Sequence, residues 1–201
     1  MQQHSDEWFK ARLGKITASQ MANIQKSRKA GRANYMADKI VELLTDSKIE
    51  GFTSPAMEWG TEQEANARIA YQAKTGAWVE EVGFMVHPDN DRMGASPDGL
   101  VDDDGCMEIK CPNTATHIDT ILNEKIKLDY VWQMNTVMAV FDKKWCDFVS
   151  FDPRLPEPHN LYIKRFFRDE LLIADIMKLA KEFLIDLDVK IAELEAKGEK
   201  A

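Results

Sequence analysis

The sequence predicts an α/β fold, a central mixed β-sheet flanked by helices, on three observations. Residues 5–75 are dominated by helical periodicity. Alternating and β-branched segments then fill 78–112. Beyond 113, helices at 114–122 and 130–141 precede strands at 145–153 and 160–167 and a long terminal helix.

Taken in order, SDEWFKARL (5–13) opens on Ser5 and Asp6 as helix caps, with Trp8, Phe9 and Leu13 as its apolar face. TASQMANI (17–24) starts a second helical stretch at Thr17 or Ser19, and 34–46 a third, with Tyr35, Ile40, Val41 and Leu44 on one side. GFTSPAM (51–57) reads as turns. Residues 58–75 are rich in helix formers and stop at Gly76, a good C-cap. WVEEVGFMVHP (78–88) is a strand and DNDR a turn. RMGASPDGLVD (92–102) is a second strand broken by glycines, and CMEIKCP (106–112) a third. Thr114 caps the next helix, and YVWQMNTVMAVF (130–141) reads as a buried one. In 168–197, Leu172, Ile176, Leu179, Phe183, Leu187, Ile191 and Leu194 recur at helical spacing.

The length of 201 residues suits one domain over 1–201, with 168–197 as its long C-terminal helix. MQQHSDEWFK has no apolar core of a signal peptide, and no run of 18 apolar residues exists, so no membrane association is expected. Three cysteines, Cys106, Cys111 and Cys146, form no C-x-x-C and the four histidines are scattered. This argues against zinc or iron–sulfur sites and fits a reducing cytoplasm. The net charge of −8 argues against broad, sequence-independent nucleic-acid binding. Against that stands a local cluster, KSRKAGR, where Lys26, Arg28, Lys29 and Arg32 have no acid among them. Such a run suits either a solvated loop or a phosphate-facing one.

The chemistry concentrates in SPDGLVDDDGCMEIK (96–110). Alternation along a strand sends Glu108 and Lys110 to one face and Ile109 to the other. If 93–101 and 106–110 pair as antiparallel neighbours, Asp98 reaches that same face. Two carboxylates and a backbone carbonyl make a hard oxygen site of the kind Mg²⁺ or Mn²⁺ prefers. A lysine beside it can orient or deprotonate water, and phosphodiester cleavage needs a metal, a water and a cation. Asp102, Asp103 and Asp104 are read as the hairpin tip, with no catalytic role. The spacing equally suits an acidic solvated hairpin, and alone it does not choose.

RLGKITASQ (12–20), WGTEQEANAR (59–68), SPDGLV (96–101), CMEIKCP (106–112) and YVWQMN (130–135) occur in the order found in the phage lambda exonuclease family. This is the YqaJ-type viral recombinase branch of the PD-(D/E)XK nucleases, which the chain resembles from about residue 8 to 152. The resemblance implies a restriction-endonuclease-like core and a two-metal nuclease. Such an enzyme degrades one strand of linear double-stranded DNA from a 5′-phosphorylated end and leaves a 3′ overhang. It implies that Asp98, Glu108 and the Ile109 carbonyl hold metal, with Glu64 joining directly or through water. Lys110 would handle the attacking water, and Gln133 would orient the nucleophile or the phosphate. Arg12, Ser19 and Ser96 match a pocket for the 5′-phosphate, where a guanidinium fork and two hydroxyls suit a dianion. Trp8, Lys26, Arg28, Lys29, Arg32 and Tyr130 are the remaining expected DNA contacts, Trp8 by stacking on end bases.

The resemblance further implies Mg²⁺ as cofactor with Mn²⁺ substituting, a ring-shaped homotrimer around the DNA, and a single-strand annealing protein as partner in recombination. A phage or prophage origin and the host cytoplasm follow from the same likeness. The C-terminal third matches the family weakly, which leaves helix 168–197 to pack on the core, join subunits or receive the partner. Two other readings stand beside the exonuclease: a PD-(D/E)XK endonuclease, and a DNA- or partner-binding module of the same fold without catalysis.

Overall fold

The computed structural model describes residues 2–49 and 54–198. Helix α1 (Asp6–Arg12) is capped by the Ser5 hydroxyl, which accepts the Trp8 N–H. Strand β1 (Ile16–Thr17) leads into a 3₁₀ turn, Ala18–Ile24. Helix α2 (Lys29–Thr45) begins a turn and a half earlier than the sequence suggests. The cluster at 26–32, expected as a loop, thus enters this helix. The stretch 51–53 of the expected turn lies outside the described residues. Ser54 N-caps helix α3 (Pro55–Thr75) with Pro55 at its first turn, and Gly76 closes it at φ 71°.

The region 78–102 departs most from expectation. The strand expected at 78–88 divides into β2 (Val79–Glu80) and β3 (Met85–His87), in different sheets. The strand expected at 92–102 divides likewise into β4 (Asn90–Ala95) and β5 (Gly99–Val101). The break falls on Ser96-Pro97-Asp98, where Pro97 has no N–H to give a ladder. Strand β6 (Gly105–Lys110), helix α4 (Thr114–Asn123), helix α5 (Leu128–Phe141), strands β7 (Trp145–Phe151) and β8 (Leu161–Phe167) and helix α6 (Glu170–Gly198) complete the order. Asn113, not Thr114, caps α4, accepting the Thr116 N–H at 2.8 Å.

The main sheet runs β2-β5-β6-β7-β8, and it is mixed: β6 pairs antiparallel with β5 and parallel with β7. The smaller sheet is β1-β4-β3. The pairing expected between 93–101 and 106–110 holds only for 99–101 against 105–107. One core lies under α5, α2, α6 and the 3₁₀ turn, around Met134, Met138 and Phe183. The other lies under α3, around Tyr71, Met107 and Val149. The central sheet is therefore covered by helices on both faces, the α/β arrangement expected. The α6 stripe packs inward through Ile173, Ile176, Ala180, Phe183, Leu184 and Leu187, and its last member, Leu194, is exposed. Among the described residues, no helix is long and apolar enough to cross a membrane.

Candidate active site

Strand β6 carries the centre of the site. Glu108 is buried and Lys110 lies two residues on, its Nζ 2.5 Å from Glu108 Oε1. The shared face expected from alternation is present. Both Glu108 oxygens are cut off from solvent, and neither takes a hydrogen bond of good geometry. Asp98 arrives from the break between β4 and β5. Its Oδ2 accepts the Ile109 N–H at 2.6 Å, so a side chain continues the ladder that the Pro97 turn interrupts. That bond fixes the carboxylate beside β6 although Asp98 itself belongs to no strand.

Helix α3 adds Glu64 from the other side. Burial pushes the Glu64 carboxyl up to about 7, and the negative charge of Asp98 adds to it. Burial likewise pushes Glu108 to about 7, with Lys110 pulling down and Asp98 pushing up. Asp98 is raised by burial against the pull of Lys110 and the Ile109 N–H. For Lys110, burial lowers the ammonium, but Glu108 and Asp98 outweigh it and hold the lysine charged. Three carboxyls thus stand close enough to resist ionising together, with one ammonium among them. Among the described residues, no three His, Cys, Asp or Glu side chains close into a ligand cage. A site of two carboxylates and the Ile109 carbonyl suits a hard cation that keeps water and phosphate oxygens in its remaining positions. Glu108, whose Oε1 meets Lys110 and whose Oε2 has no partner among the described residues, fits that group.

Tyr130 on α5 stacks on Phe148 of β7 with centroids 5.7 Å apart, and Lys110 Nζ lies 5.1 Å over its ring. Gln133 follows it, half-buried, on the same helix. Two bracing residues escaped the sequence reading. Arg68 donates from Nη1 to the Asp98 carbonyl at 3.3 Å and pairs with Glu81 at 2.8 Å. Its signal was its place one turn after Glu64 on α3. Gln3 donates from Nε2 to the carbonyls of Val82 and Pro97, at 2.9 and 2.8 Å. No pattern marked it, because it precedes the first helix.

Arg12 and Ser19 line a second cavity, of 310 Å³, together with Trp8, Tyr35, Lys39 and Lys48. Ser96 stands behind them, accepting from Trp8 Nε1 at 2.8 Å and from Arg12 Nη1 at 3.5 Å. The Arg12 guanidinium lies 3.9 Å over the Trp8 ring, and burial pulls it down to about 10. This desolvated cation, held by a hydroxyl and an indole face, forms no salt bridge among the described residues, although Glu42 lines the same cavity. Trp8 is only 7% exposed, so its ring is a wall of this cavity and the expected stacking on end bases does not fit its position.

The basic cluster is largely spent within the chain. Lys26 pairs with Glu182 at 2.8 Å, Arg28 with Asp129 and Arg32 with Asp186. The run that holds no acid of its own therefore has acids opposite it. The sequence hid those acids because they lie on α5 and α6, a hundred or more positions away. Lys29 is exposed.

Comparison with curated proteins finds no match. Among solved structures, two of LHK-Exo are similar, one in complex with dAMP and the other an alkaline exonuclease from Laribacter hongkongensis. Each has 47% identity and a TM-score of 0.92, covering 98% of this chain and 99% of the other. A phage-related exonuclease from Haemophilus somnus 129PT, at 18% identity and TM-score 0.72, covers 90% of this chain and 96% of its own, a likeness of fold. The YqaJ-like viral recombinase domain matches residues 7–144, a span that takes in Arg12, Glu64, Asp98, the whole of β6 and Gln133. The carboxylate–lysine cluster of β6 therefore has a lineage: the chain belongs to the YqaJ-like viral recombinase family.

Proposed function

We propose that the chain is a single-domain exodeoxyribonuclease that hydrolyses one strand of linear double-stranded DNA, 5′→3′, from a 5′-phosphorylated end. The observation that carries this reading is Glu108: a buried carboxylate whose Oε1 meets Lys110 and whose Oε2 has no partner among the described residues, beside Asp98. A buried carboxylate with one oxygen left open is costly unless a further cation completes it. The likeness to an alkaline exonuclease at 47% identity supports the reaction class.

Asp98, Glu108, the Ile109 carbonyl and Glu64 would hold Mg²⁺, with Mn²⁺ as substitute. When bound, the ions supply a Lewis acid for the scissile phosphate and an acidified water. Lys110 is held charged, so it orients the water and offsets charge developing on the phosphate. Tyr130 keeps the ammonium in place from above, and Gln133 can hold the water or a phosphate oxygen. Arg12, Ser96 and Ser19 would receive the 5′-phosphate, an anion for a half-buried guanidinium that has no salt bridge among the described residues. The exposed Lys29 is the member of the 26–32 cluster best placed for a DNA contact.

We further propose a homotrimeric ring in the cytoplasm of the host, working beside a single-strand annealing protein in phage recombination. A ring lets a chain of net charge −8 follow DNA, since only its inner wall need be basic.

The test is a gel assay in Mg²⁺ on linear duplex with 5′-phosphate or 5′-hydroxyl ends and on a closed circle, beside Asp98→Ala. Loss of the 5′-phosphorylated strand alone, with the circle intact and Asp98→Ala inert, is expected. A cut circle would make the chain an endonuclease. DNA bound but never cut would make it a binding module.

A further inference from the structure

Beyond Lys110 the chain turns at Cys111-Pro112, and beyond Ser150, its register partner on β7, it turns at Asp152. Because β6 and β7 are parallel, both turns leave the sheet at the C-terminal ends of these central strands, the end at which Lys110 stands. Arg154 ties them together. Its Nη2 donates to the Pro112 carbonyl at 3.1 Å and to Asp152 Oδ2 at 3.0 Å, and its Nε donates to Asp152 Oδ1 at 2.6 Å. Asp152 is fully buried and also accepts from Thr114 Oγ1 at 2.7 Å.

The other face of the guanidinium lies 4.9 Å over the ring of Trp59, on α3 ahead of Glu64. A brace alone does not explain this arrangement. Among the described residues Arg154 Nη1 takes no hydrogen bond, and the side chain is 46% exposed. Among the described residues Trp59 Nε1 is buried without a partner, a cost a purely structural indole would avoid. A planar cation, fixed in angle by a buried carboxylate and an indole, with one donor edge turned outward, is preorganised for a phosphate.

We propose that Arg154, held by Asp152 and stacked on Trp59, is a phosphodiester-binding site at the rim of the cleft, taking a backbone phosphate of the bound DNA next to the scissile one. This rests on the nuclease reading above and adds a contact outside both the carboxylate cluster and the 5′-phosphate cavity. Arg154 touches no reacting atom, so its contribution is to binding and register.

The experiment measures binding of a 5′-phosphorylated duplex by fluorescence anisotropy across salt concentrations, with Ca²⁺ in place of Mg²⁺. Wild type, Arg154→Gln and Arg154→Lys are compared, and cleavage is read separately at saturating DNA in Mg²⁺. Arg154→Gln should weaken binding about tenfold and reduce the slope of log K against log salt by about one, the signature of one lost phosphate contact. Its rate at saturating DNA should stay within about threefold of wild type. Arg154→Lys should keep the slope and lose several-fold in affinity, since an ammonium cannot hold Asp152 and Pro112 and still present a fixed donor to the phosphate. Unchanged affinity and slope in Arg154→Gln, with a lowered Tm, would reduce Arg154 to a brace. If Arg154→Gln does not fold, Arg154→Lys decides alone, and wild-type affinity in it would overturn the proposal. A wild-type protein that binds but does not cut would sink the nuclease reading, while the binding comparison would still stand.

Discussion

Glu108 and Lys110 stand side by side on one face of β6, Oε1 2.5 Å from Nζ, while the backbone N–H of the residue between them holds Asp98. One strand thus sets the positions of two acids and a base within three residues. The ammonium is already engaged by a carboxylate, so its charge is fixed in place before substrate arrives.

Replacing Lys110 with alanine should therefore separate binding from chemistry. Duplex binding should persist in Lys110→Ala, while cleavage should fall by about 10²- to 10³-fold, the usual worth of one group that offsets charge in the transition state. Anisotropy and gel assays on the same preparation read both. Normal turnover would exclude Lys110 from the reaction.

The three raised carboxyls also fix a pH dependence. Glu64 and Glu108 sit near 7, above about 4.3 for a free glutamate. Their contribution to stability is fully present below about pH 4.3 and is lost as pH rises through 7. Asp98, also raised, acts in the same direction. Asp152, lowered to about 2 by its Arg154 and Thr114 bonds against the opposing effect of burial, acts oppositely, but only in strong acid. Metal-free protein should lose Tm between about pH 5 and 8, and Mg²⁺ should restore more at pH 8 than at pH 5. Scanning calorimetry in EDTA and in Mg²⁺ checks this. An equal Mg²⁺ effect at both values would remove these carboxyls as ligands.

At the second cavity, Arg12→Ala should erase the preference for a 5′-phosphate over a 5′-hydroxyl and leave hydroxyl-ended duplex degraded as before. Competition between the two ends measures it. Equal loss at both ends would make Arg12 structural or generally catalytic. Trp8→Phe removes the Nε1 bond to Ser96, and it should cost about 1 kcal/mol of stability and part of the preference. Urea melts and the same competition assay read the two effects.

Helix α6 separates packing from surface. Phe183→Ala, at a fully buried position against Tyr35, should cost about 3–5 kcal/mol. Leu171→Ala, 83% exposed, should change stability by under about 0.5 kcal/mol. Urea melts of both decide it, and a large effect at Leu171 would place a subunit or partner contact there.

Much of this was legible in the sequence, for physical reasons particular to each part. The Gly76 stop, the β6 alternation and the α6 stripe are local patterns, and local patterns survive folding. The division of 78–88 and 92–102 between two sheets was not legible, because sheet membership is decided by non-local pairing. The Ser96-Pro97 break was visible only as turn chemistry. Asp98 was found by its motif, although its link to Ile109 is a tertiary bond. The partners of Lys26, Arg28 and Arg32 were hidden for the same reason, as was the meeting of Trp59 with Arg154 across 95 positions.

The break between β4 and β5 puts Ser96 and Asp98 on one short turn. Two residues of extended chain span at most about 7 Å. The anchor proposed for a strand end and the ligand proposed at its cut are therefore joined by covalent bonds rather than by packing that could slip. Such a turn is a ruler, and it is a short one, since a strand of duplex advances about 3.4 Å along the axis per nucleotide. At that advance a span of about 7 Å covers at most about two nucleotides between anchor and blade. Digests of 5′-phosphorylated duplex should then contain mono- or dinucleotides from the first turnover to the last. Longer oligonucleotides accumulating early would show that the anchor lies elsewhere.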